Sequence, residues 1–391
     1  MKQLIDRVAE TTLRAAERGA KKAILNSVKK WRRRALAAHH RNIVSEHHKR
    51  CCQGYTPAPE AIKRAQRFLA ENFDGYADLR WHELYWCVTG NLDQAFIPSD
   101  IFHVIIEPAL NAMNHALILT DKNVMYDLPI APLLPEPVLH IVSGDLYLPG
   151  FARVGDDQLG SIFGASRDEF IIKPSILHGS GVNLRALDGT SAASFLKEIV
   201  NDRRSRQDAN WVIQRRLEQC PETARFNPSS VNTFRVLTLR TDAEIAHLST
   251  VFRVGRKGMR IVNQSAGGIA CGTEGGRLKG RGMDNTFRFY DAHPDNGTAL
   301  NGELPNCDVA VGLCRKLHRS FPWFDLISWD VAIDTHHEPR IIEFNVANQE
   351  LYFHQMTNSP VFGSEGSAVL AAVLRRLPTK SRARSEAQKG V

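Results

Sequence analysis

Near its C-terminus the chain carries Ser328-Trp329-Asp330-Val331-Ala332-Ile333, a turn, and then Arg340-Ile341-Ile342-Glu343-Phe344-Asn345. Read with the two-residue period of a strand, each half is short and apolar, and the pair predicts a hairpin with Asp330, Glu343 and Asn345 on one wall. Two carboxylates and an amide oxygen framed by Val, Ile and Phe are costly to bury unless a hard cation sits among them, and Mg²⁺ suits such ligands. Mg²⁺ keeps few protein ligands and completes its octahedron with water and phosphate oxygens, so this hairpin asks for a nucleotide site elsewhere in the chain. On spacing alone, an ordinary hairpin with a solvated acidic face fits equally well.

The 391 residues are 43% hydrophobic and 24% charged, a globular composition with room for two or three domains. The formal charge of +8 suggests nucleic acid until it is located. Residues 1–50 hold 14 Lys and Arg against 4 Asp and Glu, a surplus of +10, which leaves the remaining 341 residues at −2. The body is therefore not basic, and no nucleic-acid partner is expected. Seven cysteines show no CxxC or Cys/His ligand spacing, a pattern that fits a reducing cytoplasm. No apolar run approaches the ~18 residues that span a bilayer, and the N-terminus has no secretory-type core.

Residues 1–53 read as a basic amphipathic helical arm, with Leu4, Val8, Ile24, Val28 and Trp31 at helical spacing among Lys21, Lys22, Lys29, Lys30 and Arg32 to Arg34. It can lie peripherally on the inner face of an anionic membrane, dock on an acidic partner, or stay solvated. Gly54-Tyr55-Thr56-Pro57-Ala58-Pro59 breaks it from residues 54–119, whose aromatic-rich helical pattern predicts a helical subdomain. Residues 120–378 then mix short strands with helices at Ser191 to Asn201, Asp308 to Arg319 and Glu365 to Arg376, an α+β arrangement. Residues 379–391 are a polar, basic tail.

Phe170-Ile171-Ile172-Lys173-Pro174 is an apolar strand ending in lysine, and His178-Gly179-Ser180-Gly181-Val182 follows. Such glycines let backbone N–H groups approach phosphate oxygens while the lysine supplies a point charge, although a plain glycine turn reads the same way. The order, lysine before glycines, is not that of a Walker A loop. Trp211 to Gln214, continuing into Arg215-Arg216-Leu217, suits a hinge strand against an adenine edge. Arg235 interrupts the strand Thr233 to Leu239, and Arg253 ends the next, each a fork for carboxylate or phosphate or a simple salt-bridging arginine.

Taken in order, Lys122, Lys173 with Gly179 and Gly181, Asn232-Thr233 with Arg235, Arg253, Asn263 with Gly267-Gly268, Asp330, and Glu343 with Asn345 resemble the ATP-grasp superfamily. The words Asn227-Pro228-Ser229-Ser230-Val231-Asn232-Thr233 and His293-Pro294 resemble its sugar-transfer-associated branch. The resemblance covers residues 120 to 350 and implies two α+β lobes clasping ATP. It assigns Lys122 and Lys173 to the α and β phosphates, His178 to Val182 to the phosphate loop, Gln214 to Leu217 to the adenine, and Asn263 to the nucleotide side. Asp330, Glu343 and Asn345 would hold one or two Mg²⁺, with Mn²⁺ as a substitute, and Arg235 and Arg253 would face the reacting acyl group. Two departures stand out: Val346-Ala347-Asn348-Gln349-Glu350 replaces the Pro-Gly turn common after the Glu-x-Asn pair, and His178 sits where small residues are commoner.

The implied activity is a carboxylate-amine ligase: ATP converts a carboxylate to an acyl phosphate, which an amine attacks, in cell-surface polysaccharide or related small-molecule biosynthesis. A kinase acting on a hydroxyl would need the same nucleotide site. A nucleotide-binding regulatory protein is a third reading, which the retention of Lys173, Asp330, Glu343 and Asn345 disfavours.

Overall fold

The computed structural model describes residue 27 and residues 30–377 apart from 74–75, 165, 167, 177–183, 202–209, 260–261 and 263–266. Among the described residues the first helix is α1 (30–51). Helices α2 (Pro59–Asn72), α3 (Arg80–Thr89), α4 (Ser99–Ile101), α5 (Glu107–Leu110) and α6 (Met113–Leu119) follow. Between α4 and α5, residues Phe102–Ile106 form a π-type turn, and the Glu107 amide donates to the Phe102 carbonyl. Pro108 explains it: proline cannot donate, and its ring crowds the carbonyl four residues back, so the helix widens locally.

The first sheet contains β1 (Pro137–Val142), β2 (Asp145–Tyr147), β3 (Arg153–Val154), β4 (Phe170–Pro174), β5 (Arg185–Leu187) and β6 (Trp211–Arg215), in the order β3-β2-β1-β6-β4-β5. Helices α7 (Leu159–Phe163) and α8 (Gly189–Asn201) cover one face, where Leu139, Ile141, Phe170, Ile172 and Ile213 join Phe163 and Leu196 in a core. By strand alternation the other face carries Lys173, paired with Val212, and Gln214, paired with Ile171.

The second sheet contains β7 (Thr233–Arg240), β8 (Ile245–Val254), β9 (Ile269–Glu274), β10 (Arg277–Met283), β11 (Phe289–Tyr290), β12 (Asn301–Glu303), β13 (Leu326–Ile333) and β14 (Pro339–Asn345). Its order is β11-β10-β9-β8-β7-β13-β14, with β12 on β10. Between the sheets in sequence lies α9 (Pro221–Ala224), and α10 (Cys307–His318), α11 (Tyr352–Thr357) and α12 (Ala368–Arg376) complete the chain. All eight residues of β13 are buried, so the strand is covered on both sides. Trp329, Val331 and Ile333 pack with Phe234, Phe252, Phe344 and the α10 residues Ala310 and Cys314.

The opposite face of this sheet receives the N-terminal helices. Phe68, Phe102, Ile106 and Leu110 pack on Leu237, Leu239 and Leu326, and Val44, Trp81, Tyr85 and Trp86 join Val251, Ala270 and Phe353. The class is α+β, two sheets with their helices preceded by a helical region, as the sequence predicts. The apolar faces of α1 to α5 are satisfied by the second sheet, so these helices share its core.

Candidate active site

The β13–β14 register sets Asp330 opposite Glu343 and Ser328 opposite Asn345, with a bulge between Asp330 and Val331. Cross-strand partners share a face, so Asp330, Glu343 and Asn345 do meet on one wall. Asp330 is also opposite Arg235 on β7, and Arg253 is opposite Thr233, which puts both arginines on that wall.

Asp330 is taken up by guanidinium. Arg235 grips it with Nε to Oδ1 at 2.5 Å and Nη2 to Oδ2 at 2.7 Å, and Arg253 Nη1 adds a bond to Oδ1 at 3.2 Å. A carboxylate offers about four lone-pair sites, so these three bonds leave little for a cation. Asp330 and Arg235 are both buried, and removing one partner strands the other. Asp330→Asn is expected to destabilise the fold by about 3–5 kcal/mol, read from a denaturant midpoint; a change within error would show the pair to be dispensable.

Lys122 sits in the turn after α6. Asp121 accepts the Asn123 amide at 2.8 Å, and the Lys122 amide donates to the Ser175 carbonyl at 3.0 Å, tying this turn to the segment that leaves β4. Its Nζ lies 3.5 Å from Glu343 Oε2. Burial pushes the Glu343 carboxyl up, but Lys122, Lys173, Arg235 and Arg253 outweigh it and hold it at about 2. Lys173 is buried, and burial, opposed by Glu343, lowers its ammonium to about 8 with Lys122 adding to the drop. The lysine of one sheet and the carboxylates of the other therefore share one electrostatic field.

Glu343 and Asn345 suit a hard cation. The Asn345 Nδ2 is buried without a hydrogen-bond partner among the described residues, and a half-turn of the amide would present Oδ1 instead. Gln214 is buried and donates to the Tyr126 hydroxyl. Arg215 is exposed and pairs with Asp168 at 2.6 Å and Glu136 at 3.3 Å, and Arg216 with Glu169 at 3.0 Å. The Arg215 and Arg216 amides are engaged as well, donating to the carbonyls of Glu136 at 2.9 Å and Glu169 at 3.0 Å, and Leu217 beside them is half-buried. His178, Gly179, Ser180, Gly181, Val182 and Asn263 lie outside the described residues.

Two further residues of interest are Glu107 and Asn111, which sequence reasoning missed. Glu107, buried, accepts the amides of Asn348 at 3.1 Å and Gln349 at 2.8 Å. Asn111 donates to the carbonyls of Leu326 and Val346 and accepts the Leu326 amide. Together they clamp the segment that stands where a Pro-Gly turn was expected, and Asn348 within it has φ +54°. The available signal was a carboxylate inside the apolar run Ile105-Ile106-Glu107-Pro108. Glu107→Ala is expected to cost about 1–3 kcal/mol by orphaning the buried Gln349 amide and releasing that of the exposed Asn348. Hydrogen exchange at Asn348 and Gln349 should accelerate more than in β13; equal protection in both would remove the clamp.

His354 is buried beside the same wall, with Nδ1 2.9 Å from Ser249 Oγ and Nε2 unpartnered among the described residues. Burial, then Arg235 and Arg253, hold its imidazole well below the ordinary value, so it is neutral. Arg225 and His293 both make contacts within the fold. The Arg225 guanidinium lies over the Phe226 ring at 4.6 Å, and His293 Nε2 donates to the Gly255 carbonyl at 2.9 Å.

The family model described as sugar-transfer associated ATP-grasp matches residues 104–370. No curated protein matches the chain by sequence. Among solved structures, the chain is similar to the ATP-grasp ligase PsnB complexed with minimal precursor, at 11% identity over 68% of this chain and 64% of that one, with a TM-score of 0.37. It is similar to D-cycloserine synthetase DcsG at 12% identity over 68% and 70%, TM-score 0.38. N5-carboxyaminoimidazole synthetase from Staphylococcus aureus complexed with ADP gives 10% over 66% and 51%, TM-score 0.38. The chain thus spans less than two thirds of the length of the first and third of these.

Proposed function

The chain belongs to the sugar-transfer-associated ATP-grasp family, and from that premise we propose that it is an ATP-dependent carboxylate-amine ligase working through an acyl phosphate. The observation that carries the reading is the charge balance of the wall between the sheets. Lys122, Lys173, Arg235 and Arg253 act on Glu343, and among the described residues the carboxylates that act on these cations are Glu343, Asp330 and, at the two arginines, Glu350, an excess of one positive charge. Such an excess in a buried site favours anionic ligands, as nucleotide phosphates and a substrate carboxylate are.

In this reading Lys122 and Lys173 bind phosphate oxygens, and the end of β6 from Gln214 to Leu217 lines the base. Glu343 and Asn345 would hold Mg²⁺, with Asp330 contributing through the lone pair its arginines leave. Held there, the ion would supply the positive charge that neutralises nucleotide phosphate. Arg253 orients the carboxylate that is phosphorylated, and Arg235, fixed by Asp330, stabilises the oxyanion formed when the amine attacks. No side-chain nucleophile is required. The family's association with sugar transfer supports a role in cell-surface polysaccharide or related small-molecule biosynthesis.

Purified protein with Mg-ATP and a panel of acids, with and without amines, tests this. ADP that appears only when both an acid and an amine are present supports the ligase. A phosphorylated alcohol formed without amine would make it a kinase, and nucleotide binding with no turnover across the panel favours a regulatory protein.

A further inference from the structure

We propose that the outer end of α1 is a docking surface for an anionic lipid bilayer. The inner half of this helix is fixed to the body. Val44 is fully buried, His48 Nε2 lies 2.6 Å from Glu83, the Arg50 guanidinium donates to the Thr286 carbonyl, and His40 stacks on His103 with ring centroids 4.3 Å apart. Residues 30–35, by contrast, are exposed all round the helix, so these turns project from the molecule.

What they present is Lys30-Trp31-Arg32-Arg33-Arg34, with Trp31 68% exposed, more than any other large apolar side chain among the described residues. Ala35 and Ala38, one and two turns on from Trp31, lie on the same stripe and are also exposed. Their small side chains leave the indole free to enter an interface. Among the described residues Lys30, Arg32, Arg33 and Arg34 have no acidic partner. The charge is also concentrated: residues 18–45 hold nine Lys and Arg and no Asp or Glu, while the chain beyond residue 50 sums to −2.

An indole beside a cluster of cations matches the headgroup layer of an anionic membrane, where the ring sits at the polar–apolar boundary and the guanidinium groups reach phosphate. An acidic protein partner would satisfy the cations but would leave the projecting indole and alanine stripe unexplained. No helix among the described residues is long and apolar enough to cross a membrane, so the contact is peripheral. It depends on α1 alone and is independent of the ligase reading.

The test is co-sedimentation of the full chain with vesicles of phosphatidylcholine alone and of phosphatidylcholine containing about one-third phosphatidylglycerol. Binding is expected to the second and not the first, and to fall steeply when salt is raised to about 0.5 M. The variant R32Q/R33Q/R34Q should bind on the order of 100-fold more weakly, and W31A roughly 10-fold, with unchanged melting temperatures because all four side chains are exposed. Absence of binding to the anionic vesicles, equal binding to both compositions, or equal binding by the triple variant would overturn the proposal.

Discussion

Replacing Lys173 with methionine is expected to weaken Mg-ATP binding about 100-fold without lowering the thermal midpoint, the loss of one buried charge-assisted contact to phosphate. Methionine keeps the unbranched stem that fills the space next to Val212 while removing the charge. That charge is costly to the fold: burial drops the ammonium from 10.5 to about 8, equivalent to about 3 kcal/mol at neutral pH. In the proposed reading, the phosphate that Lys173 binds accounts for a buried ammonium that lowers the stability of the fold. Calorimetric titration with a non-hydrolysable ATP analogue and a thermal melt together decide the matter. Wild-type affinity in the variant would show that Lys173 does not reach the nucleotide.

The same depressed value fixes a pH signature. Below pH 8 the folded and unfolded chains both carry the proton, and the fold bears the whole penalty. Between about 8 and 10.5 the unfolded chain binds more protons than the folded one, so this residue's contribution to stability rises with pH across that window. Phosphate binding favours the ammonium, so above pH 8 nucleotide binding takes up a proton and weakens by up to roughly tenfold per pH unit. Titrations in two buffers of different ionisation enthalpy detect that uptake, and the methionine variant should lack it.

The hairpin from Ser328 to Asn345 was legible because strand alternation is local: two polar residues two apart must share a face whatever surrounds them. Lys173 was legible for a related reason, as a single cation ending an apolar strand. The pairing of Asp330 with Arg235 was not, since it depends on β13 lying beside β7 in one register, and sequence shows two strands without showing that they are neighbours. Asp330 was read as a metal ligand on its residue type, whereas the geometry commits most of its lone pairs to guanidinium. Glu107 and Asn111 were harder still. Their contacts cross more than 200 residues to backbone groups, which carry no side-chain signature, and the apolar faces of the N-terminal helices do not name the sheet they cover.

Glu343→Gln should keep the fold and reduce Mg²⁺-dependent turnover by on the order of 100-fold or more, since even losing an outer partner of a metal ligand costs about 10–100-fold. Glutamine preserves the shape opposite Asp330 and removes one negative charge. Glu343 is the foremost group holding the Lys173 ammonium up, so the variant should also move the pH above which nucleotide binding weakens to below 8. A metal ligand remote from Lys173 could reproduce the first effect but not the second. At acid pH the sign reverses: with its carboxyl held at about 2 rather than 4.5, Glu343 contributes stability that is fully present above about 4.5 and is lost as pH falls through 2. The glutamine variant should therefore show a shallower loss of stability in acid. If Mg²⁺ dependence and the pH limit of nucleotide binding both stay where they are in the wild type, Glu343 faces neither the metal nor the phosphates, and the site belongs elsewhere on the sheet.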